Sequence, residues 1–289
     1  MAEKSLPFNK AQIQQIINKF PTPFHIYDET AIRANARRLT KAFAWAPAFK
    51  EYFAVKATPN PTLLKILAEE GFGADCSSLP ELLLADMSGI KGEDIILTSN
   101  DTPADEFQKA IDLGAVINLD DITHIEYLEK NVRLPEFISF RYNPGPLLES
   151  SNTIIGKPEE AKYGLTREQL FEAYKIVKEK GVKRFGLHTM VISNELNADC
   201  FIATAQMMFE LAVELKQQLD IDLEFVNLGG RRIIKKTSEQ EDVDLEYVGA
   251  GIQKVYQNTI EKNNLKPLKI AMELGRSITG PYGYLVSTA

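Results

Sequence analysis

Residues 51–61 of the 289-residue chain read Glu-Tyr-Phe-Ala-Val-Lys-Ala-Thr-Pro-Asn-Pro. The apolar run 52–55 predicts a buried strand, and the Pro-Asn-Pro triplet predicts the end of that strand and the start of a helix. Lys56 therefore stands at the carboxyl end of a strand, where burial favours the neutral amine. A lysine in such a position is a candidate Schiff-base former. The alternative is a strand-end lysine that simply reaches solvent.

The rest of the chain alternates strand-like and helix-like segments. Apolar residues follow helical spacing in stretches such as 62–70 and 199–217, and short β-prone runs separate these stretches. Eight strands after residue 50, each but the last followed by a helix, predict an α/β fold of the (β/α)8 TIM-like barrel type. Strand counting leaves an open doubly wound sheet as the alternative. The predicted strands are 24–27, 52–55, 73–75, 95–98, 115–118, 137–142, 184–188, 224–228 and 268–273.

Composition limits the kind of protein that this chain can be. The net charge of -7 disfavours generic nucleic-acid binding, and no apolar run approaches the roughly 20 residues of a membrane span. Cys76 and Cys200 are too few and too far apart for a disulfide framework or a zinc site. Residues 1–10 lack the apolar segment of a signal peptide. We therefore expect a soluble cytoplasmic protein that binds neither nucleic acid nor membrane and holds no metal.

Several segments together resemble one family, the diaminopimelate decarboxylases of the alanine racemase-like class of pyridoxal phosphate (PLP) enzymes. The resemblance implies a barrel of the alanine racemase N-terminal-domain type, with PLP as cofactor and Lys56 as its Schiff-base lysine. It also implies a small-molecule amino-acid substrate and a homodimer. The segments that match in order and spacing are 23–27 (PFHIY), 51–61, 74–81 (ADCSSLPE), 141–145 (RYNPG) and 280–283 (GPYG).

The same resemblance divides the chain into two parts. Residues 1–48 are expected to form a helix, a strand and a second helix that lead into the barrel, and residues 49–289 to form the PLP-binding barrel. In the family, an early strand joins a C-terminal β domain that follows the barrel. Because the sequence stops at Ala289, we expect this β domain to be missing and the strand at 24–27 to lack a partner. An unpaired strand edge would promote self-association.

The sixth barrel strand ends in residues 186–193, which read GLHTMVIS. Family members often read Gly-Leu-His-x-His-Ile-Gly-Ser, and their second histidine stacks on the cofactor ring. His188 matches the first histidine and is a candidate for lining the site, with a structural role as the alternative. Met190 replaces the second histidine, although a thioether can still contact a ring. Ser193 matches a serine near the cofactor phosphate, and helix capping is the alternative role of its hydroxyl.

The seventh strand ends in residues 227–236, which read NLGGRRIIKK. The family has Gly-Gly-Gly-x-Gly here, a loop whose backbone N–H groups cradle the phosphate. Gly229 and Gly230 keep part of this pattern and are candidate cofactor residues. Arg231 and Ile233 stand where further glycines belong, and their side chains are expected to impair PLP binding. The basic side chains of this loop could instead pair with phosphate as charges, or simply be solvated.

The eighth strand ends in residues 271–277, AMELGRS, which resemble the Glu-Pro-Gly-Arg motif of the family. Glu273 would hold a proton on the pyridine nitrogen of PLP. The amides of Gly275 and Arg276 would meet the phosphate, and the Arg276 side chain would pair with a substrate carboxylate. Leu274 replaces the proline of the motif. The alternative is a surface ion pair, but barrels favour phosphate sites after strands seven and eight.

The resemblance therefore implies PLP-dependent decarboxylation of meso-diaminopimelate to L-lysine and CO₂. We expect little turnover by this chain, because the interrupted glycine loop and the missing β domain would both impair it. A related decarboxylase of another amino acid or polyamine precursor remains open. So does a non-catalytic PLP-binding barrel or an inactive scaffold.

Overall fold

The computed structural model describes residues 6–145, 163–190, 197–230 and 243–288. Eight parallel strands close into a barrel, in which each strand pairs with the next along the chain and the last pairs with the first. This closure confirms the predicted barrel and excludes the open sheet. The barrel strands are β2 (Phe49–Ala54), β3 (Gly73–Cys76), β4 (Ile95–Ser99), β5 (Val116–Leu119), β6 (Phe137–Tyr142), β7 (Arg184–Thr189), β8 (Leu223–Asn227) and β9 (Lys269–Met272).

Helices surround the barrel and follow the strands in alternation. The helix after β2 shows how the sequence fixes these boundaries: the Asn60 side chain accepts hydrogen bonds from the N–H groups of Thr62 and Leu63, with Pro61 in the first turn. The described helices include none that is long and apolar enough to cross a membrane. They are α1 (Lys10–Ile17), α2 (Glu29–Ala42), α3 (Pro61–Glu69), α4 (Leu79–Met87), α5 (Ala104–Asp112), α6 (Thr123–Asn131), α7 (Arg167–Glu179), α8 (Ala198–Leu219), α9 (Leu245–Tyr256) and α10 (Arg276–Thr279).

The interior of the barrel has an apolar end and a polar end. Buried apolar side chains that pack together inside it include Tyr52, Phe137 and Phe225, the last two in edge-to-face contact. The same apolar cluster includes Ile96 on β4 and Val116 on β5, and two residues further along these strands the paired residues Thr98 and Asn118 are polar and buried. Because the carboxyl ends of the strands are the polar end, functional side chains gather there.

A separate two-stranded sheet lies beside the barrel, in which β1 (Phe24–Tyr27) pairs antiparallel with β10 (Gly283–Val286). The prediction that the first strand lacks a partner is therefore wrong. Its partner follows the last barrel strand, and the Tyr27 side chain packs closely on Gly283. The pairing joins a strand from each of the two predicted parts of the chain, 1–48 and 49–289. The division at residue 48 stays a prediction.

Candidate active site

A cavity of about 920 Å³ opens at the carboxyl ends of the barrel strands. This volume lies within the usual range of small-molecule sites, roughly 300–1,000 Å³. Seven of the eight residues predicted for the site are among the described residues, and five of these line the cavity: Lys56, Gly230, Glu273, Gly275 and Arg276. The barrel thus brings together the ends of its first, seventh and eighth strands, as the sequence predicted.

Lys56 lies in a short 3-10 turn, Val55–Ala57, directly after β2. Its Nζ donates a hydrogen bond to Oγ of Ser77, 3.2 Å away at the end of β3. The residue is exposed, so the expectation that burial would desolvate its ammonium is wrong. The strand ends one residue earlier than predicted, at Ala54, and the turn carries the side chain into the open cavity.

Glu273 is buried, and both of its carboxylate oxygens contact side chains at the ends of other barrel strands. Oε1 accepts from Nδ2 of Asn227 at 2.7 Å, and Oε2 lies 3.1 Å from Nε2 of His188. Each oxygen retains a second lone pair that can accept a further bond. The carboxylate is therefore fixed in orientation at the wall of the cavity and can still accept a proton-bearing group.

His188 is buried beneath Glu273 and contacts a neighbour through each ring nitrogen. Nδ1 lies 3.0 Å from Nδ2 of Asn118, an amide donor. With Nδ1 as the acceptor, the ring N–H that faces Glu273 is on Nε2. His188 is not a wall residue of the cavity, and it contacts the site through Glu273.

Three buried carboxyl groups around this site differ in the direction of their pKa shifts. Burial opposes ionisation of Glu273, but His188, Lys56 and Arg141 together hold its pKa below the ordinary value. Burial raises the pKa of Asp75 well above its ordinary value, and the charge of Glu273 raises it further against the effect of Lys56. Burial likewise raises the pKa of Glu51. The site therefore combines one carboxyl group whose ionisation is favoured by its neighbours, Glu273, with two whose ionisation is opposed by burial.

The two glycines after β8 are required by close backbone contacts. Gly229 has a positive φ of 71°, and a Cβ there would lie 2.2 Å from the carbonyl oxygen of Thr189. A Cβ at Gly230 would lie 2.0 Å from the carbonyl oxygen of Glu273. The N–H of Gly229 donates to Oδ1 of Asn227. Gly229 thus allows the tight turn after β8. A contact between these glycines and a phosphate stays a prediction.

Gly275 packs against the turn that carries Lys56. A Cβ on Gly275 would lie 2.6 Å from Cβ of Ala57 and 3.2 Å from Cβ of Ala54. Arg276 begins α10 and is exposed at the cavity. The loop after β9 therefore contacts the lysine turn directly. Ser193, Arg231 and Ile233, to which the sequence analysis also assigned effects, lie outside the described residues.

Two further cavity residues, Arg141 and Asp75, were missed as site residues. Nε of Arg141 forms an ion pair with Oδ1 of Asp120 at 3.0 Å, although the angle between the two groups does not allow a hydrogen bond. The guanidinium group of Arg141 lies 5.4 Å from the centre of the Tyr163 ring. Both residues belong to segments that carried the family resemblance. Their position at the carboxyl ends of β6 and β3 was the signal that could have found them.

The side chains of the cavity fit PLP. An amine, a fixed carboxylate and the guanidinium groups of Arg141 and Arg276 share one cavity of suitable volume. They match the aldehyde, the pyridine nitrogen and the phosphate of the cofactor in charge and type. Lys56 and Glu273 both line this cavity.

The sequence is similar to those of characterised proteins. Residues 29–280 match the family model described as "Pyridoxal-dependent decarboxylase, pyridoxal binding domain". Protein TabA of Pseudomonas amygdali pv. tabaci is 37% identical over 275 residues, which are 95% of this chain and 64% of TabA. Diaminopimelate decarboxylase of Methanothermobacter thermautotrophicus is 29% identical over 278 residues, which are 96% of this chain and 65% of that enzyme.

Solved structures have the same fold. Diaminopimelate decarboxylase from M. jannaschii superposes with a TM-score of 0.84 at 26% identity, covering 94% of this chain and 64% of that chain. The Helicobacter pylori enzyme, crystallised with L-lysine, gives a TM-score of 0.81 at 25% identity, with 94% and 68% coverage. The chain spans just under two thirds of the length of the curated relatives named above. The family match over residues 29–280, together with the barrel and its cavity, shows that the chain belongs to the pyridoxal-dependent decarboxylases and uses PLP as its cofactor.

Proposed function

We propose that this barrel holds PLP for the decarboxylation of an amino acid, with Lys56 and Glu273 as the principal cofactor residues. The observation that carries the proposal is the fixed, ionised carboxylate of Glu273, which shares one cavity with the amine of Lys56. A carboxylate so placed can keep a proton on the pyridine nitrogen. When bound, PLP supplies an electron sink for the electron pair that is left on Cα after CO₂ departs.

The roles of the other cavity residues follow from their charges. The Lys56 amine would hold the cofactor through its aldehyde carbon. Gly275 and Arg276 would face the phosphate, and the guanidinium of Arg276 would also pair with a substrate carboxylate. Arg141 adds a second guanidinium group to the same cavity. His188 acts through Glu273, because its proton-bearing Nε2 points at that carboxylate.

The substrate that we propose is meso-diaminopimelate, with L-lysine and CO₂ as products. Supporting this choice are the diaminopimelate decarboxylases at 26–29% identity and the H. pylori enzyme crystallised with L-lysine. The second candidate is a related amino acid. It is favoured by the 37% identity to Protein TabA, whose name gives no substrate, and by Met190, which lines the cavity where the family has a histidine.

The test is CO₂ release by the full chain after saturation with PLP. Diaminopimelate is compared with ornithine, arginine and carboxynorspermidine, and Lys56→Ala is the matched inactive control. Release that depends on Lys56 and is fastest with diaminopimelate is the expected result. A PLP absorption band without CO₂ release from any of the four would favour a non-catalytic PLP-binding barrel.

We also propose a homodimer, as in the resembled family. Sedimentation equilibrium of the PLP-saturated chain tests the assembly directly. A single species with the mass of one chain, 32.4 kDa, would contradict it.

A further inference from the structure

Leu274, the residue between Glu273 and Gly275, is tied to strand β2 by both of its backbone groups. Its N–H donates a hydrogen bond to Oε1 of Glu51, and its carbonyl oxygen accepts one from the N–H of Ala54 at 3.3 Å. Glu51 and Leu274 are each 1% exposed. Strand β2 leads directly into the turn of Lys56, so these two bonds connect the lysine turn to the loop of Glu273.

The same loop after β9 also contacts the loop after β8 and the turn of Lys56. The N–H of Glu273 donates to the carbonyl oxygen of Gly229 at 3.1 Å. Gly275 packs so closely on Ala54 and Ala57 that a Cβ would not fit. Each of these contacts is made by backbone or by a residue too small to adjust. Glu51 differs from these residues because its contact with the loop is made by a long side chain.

A glutamic acid in this position needs an explanation, because burying a carboxyl group is costly. Burial, with added effects from Glu273 and Asp75, raises the pKa of Glu51 well above the ordinary value and so favours the neutral acid. Oε2 has no hydrogen-bond partner among the described residues. Within the described part of the chain, the side chain makes one hydrogen bond, which it accepts from Leu274. A buried N–H left without an acceptor is itself destabilising, and Glu51 supplies that acceptor.

We propose that Glu51 is a positioning residue that sets the distance between the Lys56 turn and the Glu273 carboxylate by accepting the hydrogen bond of Leu274. The link to cofactor binding rests on the proposed roles of Lys56 and Glu273. A fixed spacing matters there because the amine and the carboxylate must reach opposite parts of one rigid ring.

Three substitutions separate reach from charge. Glu51→Gln keeps an acceptor oxygen at the same distance, Glu51→Asp keeps the carboxyl but shortens the side chain, and Glu51→Leu removes the acceptor. We expect the dissociation constant of PLP, measured by absorbance titration, to stay within about threefold for Glu51→Gln. We expect it to rise about tenfold for Glu51→Asp and Glu51→Leu, the effect of one lost hydrogen bond to a buried donor. The exposed Glu126, changed to Leu, is the matched control and should have no effect.

A second readout does not depend on the cofactor. Hydrogen exchange of the Leu274 amide in PLP-free protein should be unchanged in Glu51→Gln and at least about tenfold faster in Glu51→Asp and Glu51→Leu. A double-mutant cycle adds a further check. In the background of Leu274→Pro, which has no N–H, the PLP effect of Glu51→Leu should fall below about threefold, because no donor is left to satisfy.

The outcomes are distinct. Weak PLP binding by Glu51→Gln, or unchanged Leu274 exchange in folded Glu51→Asp, would overturn the proposal. If Glu51→Leu or Leu274→Pro does not fold, the Gln and Asp variants still decide it. Failure of wild-type protein to form a borohydride-trapped adduct at Lys56 would overturn the proposed function instead, and the exchange comparison would still test the contact of Glu51.

Discussion

Nε2 of His188 lies 3.1 Å from Oε2 of Glu273, and both side chains are buried in the polar end of the barrel. Because Asn118 donates to the other ring nitrogen, the imidazole presents its proton to the carboxylate. This contact is one reason why Glu273 is ionised although it is buried. The ability of Glu273 to hold a cofactor proton therefore depends on His188.

Replacing His188 should damage both stability and cofactor binding. In His188→Leu the Glu273 carboxylate loses a buried partner, which typically costs about 3–5 kcal/mol in the free energy of unfolding. Its pKa should rise, so that PLP binds at least about tenfold more weakly. His188→Gln keeps an N–H donor and should lose about 1 kcal/mol. Urea unfolding and PLP titration check both variants, and equal stability of the two would argue against the contact.

Lys56 should be the single site of covalent attachment. Borohydride reduction of the protein with PLP, followed by peptide mapping, is expected to find the pyridoxyl group on the peptide that contains Lys56. Lys56→Arg keeps the charge and should abolish the adduct. Lys50→Arg is the matched control, because Lys50 lies on the same strand but pairs with Asp94 at the other end of the barrel. An adduct that persists in Lys56→Arg would refute the assignment.

A side chain at Gly230 should lower both the stability of the protein and its affinity for PLP. In Gly230→Ala the new Cβ would meet the carbonyl oxygen of Glu273, which must shift together with its carboxylate. Gly249→Ala is the matched control: its Cβ would meet the carbonyl oxygen of Ala42, away from the cavity. Both variants should lose stability, typically by about 1–3 kcal/mol, measured by thermal unfolding. We expect PLP affinity to fall only in Gly230→Ala, and an equal fall in both would contradict a local effect.

The sequence predicted the barrel well because its strands are short β-prone runs, each followed by a helical stretch. It missed β10 because residues 283–286 are few, and their partner β1 lies about 260 positions earlier in the chain. No local pattern indicates so distant a pairing.

The site was predictable where chemistry coincides with strand ends, as for Lys56 and Glu273. It was not predictable where a residue acts through a contact across space. The hydrogen bond from Leu274 to Glu51 joins residues 223 positions apart, and nothing in the segment 51–61 marks its first residue as a partner of the last barrel loop.

The pH dependence of stability should identify Glu51 as a neutral buried acid. Its pKa is raised in the folded protein, by burial first and then by Glu273 and Asp75. The folded state therefore binds a proton more tightly than the unfolded state, so this contribution to stability is complete below the ordinary carboxyl pKa. It is lost as the pH rises toward the raised value. Glu51→Gln cannot ionise, and Asp75 and Glu273 remain in both proteins.

Between pH 5 and 8 we therefore expect the stability of Glu51→Gln to improve relative to wild type, by up to about 1.4 kcal/mol per pH unit until the raised pKa is passed. Urea unfolding at each pH measures the difference. In Glu126→Gln the lost carboxyl is exposed, and the hydrogen bond from Lys130 lowers its pKa, so its difference from wild type should be flat above pH 6. A flat difference for Glu51→Gln as well, or one that moves the other way, would mean that Glu51 is ionised in the fold and that the Leu274 N–H binds a carboxylate.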